Sequence, residues 1–313
     1  MQIGLMVEGQ NGLNWSSWQA ILQRAEDGGF QCVFRSDHFT NPSPPDLDSL
    51  ELWTSLTWAA SHTSTIEFGP LVSPVTFRHP AMTCRYASAV DDLSGGRLVL
   101  GLGAGWQDRE HQMFGVPFYD FKTRFEMLED ALEMTSRLFA GGQVNYGGKH
   151  FSLEDAILLP KPARRTPILI GGNGPKRTLP LVARYGDEWN AVFCNIETYR
   201  NRMQTLDQLI ARNGRRPSDV KRSLMAGTRW AADDRGVKEL LAEASKRLGK
   251  DASIEDINQL GLFAGTSSMM VDQLGAFQEA GCERVMLQIL DYTDLGVVDA
   301  WARDIVPQFH VSQ

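Results

Sequence analysis

The chain has 313 residues, 42% of them hydrophobic and 22% charged, with a formal net charge of −7. That apolar share builds a sizeable core and excludes an intrinsically disordered chain. The acidic balance argues against a nucleic-acid partner, since nucleic-acid binders present a basic stripe. The longest apolar runs fall far short of the roughly 20 residues of a membrane-spanning helix. The segment MQIGLMVEGQNG lacks a basic start and a long apolar stretch, so no secretory signal is expected. Cys32, Cys84, Cys194 and Cys282 lie far apart with no CxxC pair, which reads as reduced thiols in a cytoplasmic protein rather than a disulfide framework or a zinc site.

Short β-like runs alternate with amphipathic helical stretches along the whole chain. Strands are predicted at 3–7, 32–34, 66–74, 97–103, 167–170, 188–193, 223–230 and 285–290. Helices are predicted at 15–27, 50–61, 80–93, 121–139, 199–213, 237–248, 254–260, 267–280 and 297–306. The first has Trp15, Trp18, Ile21, Leu22 and Ala25 at helical spacing and stops at Gly28-Gly29. Strands separated by helical crossovers predict a parallel sheet, and eight such units favour a closed barrel over an open sheet. The expected fold is therefore α/β, a single (β/α)8 TIM barrel over 1–313. Insertions are expected at about 141–159, with a hairpin, and 215–262. By usual barrel size, about 250 residues form the barrel and about 60 the insertions.

In such a barrel the chemistry sits at the carboxyl ends of the strands. Asp37 and His38 follow strand two, and a histidine beside a carboxylate suits proton transfer. Gly101, Gly103 and Gly105 alternate after strand four, followed by Trp106, Glu110 and His111. They do not form the GxGxxG dinucleotide pattern, but glycine there permits close backbone approach. Trp106 is placed to wall a ring, and Glu110 to act as a buried acid. Gly171-Gly172-Asn173-Gly174 opens a helix after strand five, where free amides favour an anion, with Lys176 and Arg177 adding charge. The alternative is a plain βα turn. Pro180 is costly inside a helix, which moves the expected helix start towards Thr178 as N-cap. The histidines show no H-x-H or HExxH spacing, so no metal site is expected.

Several segments in order resemble the bacterial luciferase-like monooxygenase family. They are Gly69-Pro70-Leu71-Val72-Ser73-Pro74-Val75-Thr76-Phe77-Arg78-His79-Pro80, Asp92-Leu93-Ser94-Gly95-Gly96-Arg97 and Gly101-Leu102-Gly103-Ala104-Gly105-Trp106 with Glu110-His111. Ile170-Gly171-Gly172-Asn173-Gly174, Asp187-Glu188-Trp189-Asn190 and Gly265-Thr266 continue the match. The resemblance implies a barrel that binds FMN or its deazaflavin relative, coenzyme F420. Ser36-Asp37-His38-Phe39 is similar to the deazaflavin branch. By position it implies Asp37 and His38 at the tricyclic ring, and a non-proline cis peptide in the Leu71-Val72-Ser73 bulge. It implies Gly105, Trp106 and Glu110 on the ring and substrate side. Gly171, Gly172, Asn173, Gly174 and Arg177 would hold the phosphate.

The expected function is F420-dependent hydride transfer to or from a small organic substrate, with His38 as proton carrier and Glu110 as second acid or substrate orienter. The cofactor carries the redox chemistry in such enzymes. One alternative is an FMN-dependent luciferase-like monooxygenase, in which an apolar pocket keeps water out. The other is a flavin-binding protein without turnover. A homodimer is expected from the resemblance, and substrate choice is expected to lie in the 215–262 segment.

Overall fold

The computed structural model describes residues 1–309. Its strands are β1 (Gln2–Val7), β2 (Cys32–Arg35), β3 (Glu67–Pro70), β4 (Ser73–Pro74), β5 (Leu100–Gly103), β6 (Gln143–Gly147), β7 (Ser152–Ile157), β8 (Ile168–Gly171), β9 (Glu188–Val192), β10 (Lys221–Trp230), β11 (Leu262–Gly265) and β12 (Arg284–Ile289). The helices are α1 (Trp15–Asp27), α2 (Leu52–His62), α3 (Pro80–Leu93), α4 (Asp108–Phe114), α5 (Phe121–Ala140), α6 (Thr178–Tyr185), α7 (Ile196–Arg212), α8 (Asp234–Leu248), α9 (Ile254–Gln259), α10 (Ser267–Glu279), α11 (Gly296–Asp304) and α12 (Val306–Phe309).

The sheet runs β3-β2-β1-β12-β10-β9-β8-β5-β4, with β11 paired to β10. Every strand pair in it is parallel. β3 and β4 form one broken stave, so the path is an eight-stave barrel. The seam closes where Phe68 N–H donates to Arg97 O at 3.1 Å and Val99 N–H donates to Phe68 O at 2.9 Å. The predicted third strand is thus interrupted at Leu71-Val72, whose peptide bond is cis.

The alternation of the strands sorts side chains into two cores. Ile3, Leu5 and Val7 face the helix layer, while Met6 points into the barrel with Cys32, Phe34, Val99, Leu169, Met225 and Met286. Burial on both faces explains why the staves read as continuous apolar runs. At the amino end of the staves the fully buried Arg284 donates to Glu188 Oε2 at 2.9 Å and Gln2 Oε1 at 2.8 Å and pairs with Glu67. The helices start as their caps dictate. In α1, Asn14 and Ser17 form a reciprocal capping box, and Trp18, Ile21, Leu22 and Ala25 are buried. All four cysteines are free and buried, and burial pushes their thiols up to about 12.

Two expectations need correction. The helix after β8 starts at Thr178, as Pro180 suggests, but its N-cap is Arg177 and not Thr178. Pro180 therefore sits in the first turn, where its missing N–H has no intrahelical partner to lose. The 141–159 insertion is the antiparallel β6–β7 hairpin, as read, but 215–262 is not one insertion. It contains the barrel stave β10, and the remainder supplies α8 and α9. The seven-residue α4 falls below the length at which periodicity separates a helix from a loop, and β11 lies outside the predicted strands.

Candidate active site

A cavity of about 700 Å³ opens at the carboxyl ends of the staves. Leu71, Val72, Pro74, Trp106, Phe121, Phe125 and Phe193 give it apolar walls. Glu8, Gln10 and Gln288 form a polar patch on the β1–β12 side, and His38 lies at the end of β2.

His38 and Glu110, separated by 72 positions in sequence, meet here. His38 Nδ1 lies 2.9 Å from Glu110 Oε1, and the Phe39 N–H donates to Glu110 Oε2 at 2.8 Å. The carboxylate is 1% exposed. Helix α4 brings it in, and His111 anchors that helix through Thr76 Oγ1 at 2.8 Å and the Gln107 carbonyl at 2.7 Å. Burial opposes charge on His38, but the hydrogen bond and negative charge of Glu110 outweigh it, aided by Glu8 and Asp37. The imidazole pKa is thus held above its ordinary value. Trp106 packs edge-on against His38, with ring centroids 5.5 Å apart at 76°.

Asp37 does not reach the cavity wall. Its carboxylate accepts from Ser73 Oγ at 2.8 Å and from the Arg78 guanidinium at 2.5 Å. Asp37 and Ser73 thereby tie β2 to the bulge behind Leu71-Val72. The alternating glycines make room for that bulge. A Cβ on Gly101 would stand 2.0 Å from Pro70 O, and one on Gly103 2.4 Å from Val72 Cγ2. A Cβ on Gly171 would stand 3.1 Å from Cγ1 of the same valine. Gly105 has φ +76, the left-handed region that glycine tolerates.

The loop after β8 divides its roles. Gly171 and Gly172 line the cavity. Asn173 does not: its Nδ2 donates to Val192 O at 2.6 Å and its Oδ1 accepts from Val192 N at 3.0 Å, so its amide extends the sheet. Gly172 and Gly174 fold over Thr178, whose Oγ1 lies 3.4 and 3.0 Å from where their Cβ atoms would be. Exposed Arg177 stacks over Phe121 and Phe125 at 5.4 and 5.7 Å.

The family model described as luciferase-like monooxygenase matches residues 1–297. This chain belongs to the luciferase-like monooxygenase family. Within it, the chain is 32% identical over 173 residues to an F420-dependent hydroxymycolic acid dehydrogenase of Mycobacterium tuberculosis, covering 55% of this chain and 48% of that protein. It is 24% identical over 314 residues to an F420-dependent glucose-6-phosphate dehydrogenase of Intrasporangium calvum, covering 91% and 92%. The fold is similar to that of an F420-dependent secondary alcohol dehydrogenase solved with an F420-acetone adduct, with TM-score 0.84, 21% identity and 99% of each chain covered.

For a luciferase-like chain, this cavity has lining residues that the sequence reading passed over. Arg124 reads as an ordinary position on an amphipathic helix. It is in fact 9% exposed, donates to Gly105 O at 3.2 Å and to Tyr119 O, and lies over Phe118 at 4.1 Å. It has no carboxylate partner among the described residues. Glu8 and Gln10 follow β1 directly, so the rule that picked out Asp37 and His38 applies to them as well. Asn190, fully buried on β9, gives its Nδ2 to Ser223 and leaves Oδ1 without a partner. From the 215–262 segment only Met225, a stave residue, reaches the cavity.

Proposed function

We propose that this chain is an F420-dependent oxidoreductase that transfers hydride to or from a small organic substrate. The observation that carries the reading is the His38–Glu110 pair at the edge of a mainly apolar cavity. The residues fit the cofactor on two counts. Arg124 is a buried guanidinium without a counter-ion and lines the same cavity as Gly171 and Gly172, where Thr178 Oγ1 and the amides that start α6 add donors for a phosphate. Asn190 Oδ1 is a buried acceptor without a donor on the neighbouring stave β9, in register with Gly171.

When bound, the deazaflavin would supply the carbon that gives or takes hydride. Val72 and Leu71 would support a flat ring from one side. Glu110 holds His38 Nδ1, which leaves Nε2 as the atom that gives a proton to, or takes one from, a substrate oxygen or nitrogen. The raised pKa keeps a protonated population at neutral pH, as a general acid requires. The apolar walls exclude water from the exchange.

Titration with oxidised F420 and, separately, FMN, followed by absorbance, tests this. F420 binding with His38-dependent turnover of alcohols, ketones, enones or imines supports it. Tight FMN binding without F420 binding overturns it in favour of the flavin monooxygenase reading. Binding with turnover that His38→Ala leaves unchanged favours a protein in which this pair is not catalytic. A homodimer belongs to the same proposal, because Met82, Tyr86 and Leu93 form an exposed apolar stripe on α3. Light scattering should give twice the chain mass, and Tyr86→Asp should halve it.

A further inference from the structure

Two ion pairs stand at the cavity, while Arg35, Arg124 and Glu8 make none among the described residues. His38 has Glu110, and Asp37 has Arg78. Arg35 donates to Leu50 O and Ser55 Oγ, each at 2.6 Å, at the back of β2. Arg124 is assigned to the cofactor phosphate, and in that assignment the inference rests on the function proposed above. Glu8 remains. Its carboxylate lines the cavity and is 8% exposed. Oε1 accepts from Gln288 Nε2 at 2.7 Å, and Oε2 accepts from Gln10 Nε2 at 3.1 Å. Among the described residues it makes no ion pair.

The surroundings hold this carboxylate in place. Gln10 Oε1 accepts from Ser36 Oγ at 2.7 Å, and Ser36 Oγ accepts from the Gly9 N–H at 2.8 Å. The Tyr292 hydroxyl donates to the Glu8 carbonyl at 2.6 Å, which fixes the backbone. Two neutral amides orient the carboxylate without cancelling its charge. A carboxylate withdrawn from water without a counter-charge is costly, and its attraction for a cation grows as water is excluded. A substrate hydroxyl would fill one lone pair and leave the charge standing. A cationic nitrogen removes it.

We propose that Glu8, oriented by Gln10 and Gln288, is a substrate subsite for a cationic nitrogen, so that the substrate carries a protonated amine or iminium group. Trp106 and Phe193, which also line the cavity, offer aromatic surface to the rest of the molecule and to the cation.

The test uses benzylammonium and its neutral counterpart benzyl alcohol as probes, with binding measured by calorimetry on the full chain with and without F420. The wild-type chain should bind benzylammonium at least about ten-fold more tightly than benzyl alcohol. Glu8→Gln should erase that preference, while Glu8→Asp should keep part of it. Thermal melts check that both variants fold, and the wild-type comparison stands without any variant. Equal binding of the two probes by the wild-type chain overturns the proposal, as does a preference that survives in Glu8→Gln. Loss of F420 binding in Glu8→Gln also overturns it, because Glu8 would then face the cofactor. If F420 fails to bind the wild-type chain while the Glu8-dependent preference holds, the cofactor reading fails and the subsite stands.

Discussion

His38, after β2, and Glu110, on α4, meet at 2.9 Å, while the second oxygen of Glu110 is held by the amide of Phe39, the residue next to His38. One carboxylate thus fixes both the ring and the backbone that carries it. If His38 moves the proton, His38→Ala should lower kcat by about 100- to 10,000-fold, the usual worth of general acid–base catalysis. Glu110→Gln should lower kcat and leave the Kd for F420 within a few-fold. Steady-state kinetics and a cofactor titration separate the two effects.

The pH dependence follows from the raised pKa of His38. In the substrate-reducing direction the acid must be protonated, so kcat should be flat at low pH and fall as pH rises through a pKa raised from the ordinary histidine value. In the oxidising direction the limb should rise instead. Glu110→Gln removes the main cause of the raised pKa, so the limb should move to lower pH. Stability has the same sign. The contribution of the pair is complete below the unfolded-state pKa of histidine and is lost as pH rises through the folded-state pKa. A profile that does not move in Glu110→Gln would remove His38 from the proton path.

Arg124 should report on the phosphate. Losing one charge-assisted hydrogen bond costs about 2 kcal/mol, or some thirty-fold in Kd. Arg124→Gln should therefore weaken F420 binding by about that factor. A deazaflavin analogue truncated before the phosphate should bind both proteins alike. Fluorescence titration of the two ligands measures the difference.

Gly103 and Val72 form a packing pair across neighbouring staves. Gly103→Ala places a methyl 2.4 Å from Val72 Cγ2 and should destabilise the fold by about 1–3 kcal/mol. Val72→Ala in the same chain should return much of that loss, so thermal melts of the four proteins should show strong non-additivity. Independent effects would mean that the bulge relaxes elsewhere.

At the other end of the barrel, Arg284→Met leaves Glu188 without its cation and Glu67 with Lys221 alone, at 4.0 Å. Removing one partner of a buried ion pair typically costs 3–5 kcal/mol, and denaturant unfolding should show a loss of about that size. The site at the opposite end should keep its ligand affinity in the folded fraction.

The order of strands and helices was legible in the sequence because both periodicities are written locally. Short apolar runs mark staves buried on both faces, and i, i+3, i+4 spacing marks the helices around them. The barrel followed from the count of units, and the site's position from the carboxyl ends of its strands. His38, Glu110, Trp106 and the glycines were all reached in this way. What the local pattern does not carry is which polar group faces which. Asp37 and His38 are neighbours in sequence, yet one turns to Arg78 behind the bulge and the other to Glu110 at the cavity. Asn173 looks like part of an anion loop, yet closes on the backbone of Val192. Arg124 stands out by neither motif nor spacing and Glu8 only by following β1, and their meaning depends on lacking an opposite charge in three dimensions. The sequence alone determined the barrel and the end at which its chemistry sits. Only the tertiary structure decided the pairing of charges, because burial makes each unpaired charge costly and the partners come from staves far apart in the chain.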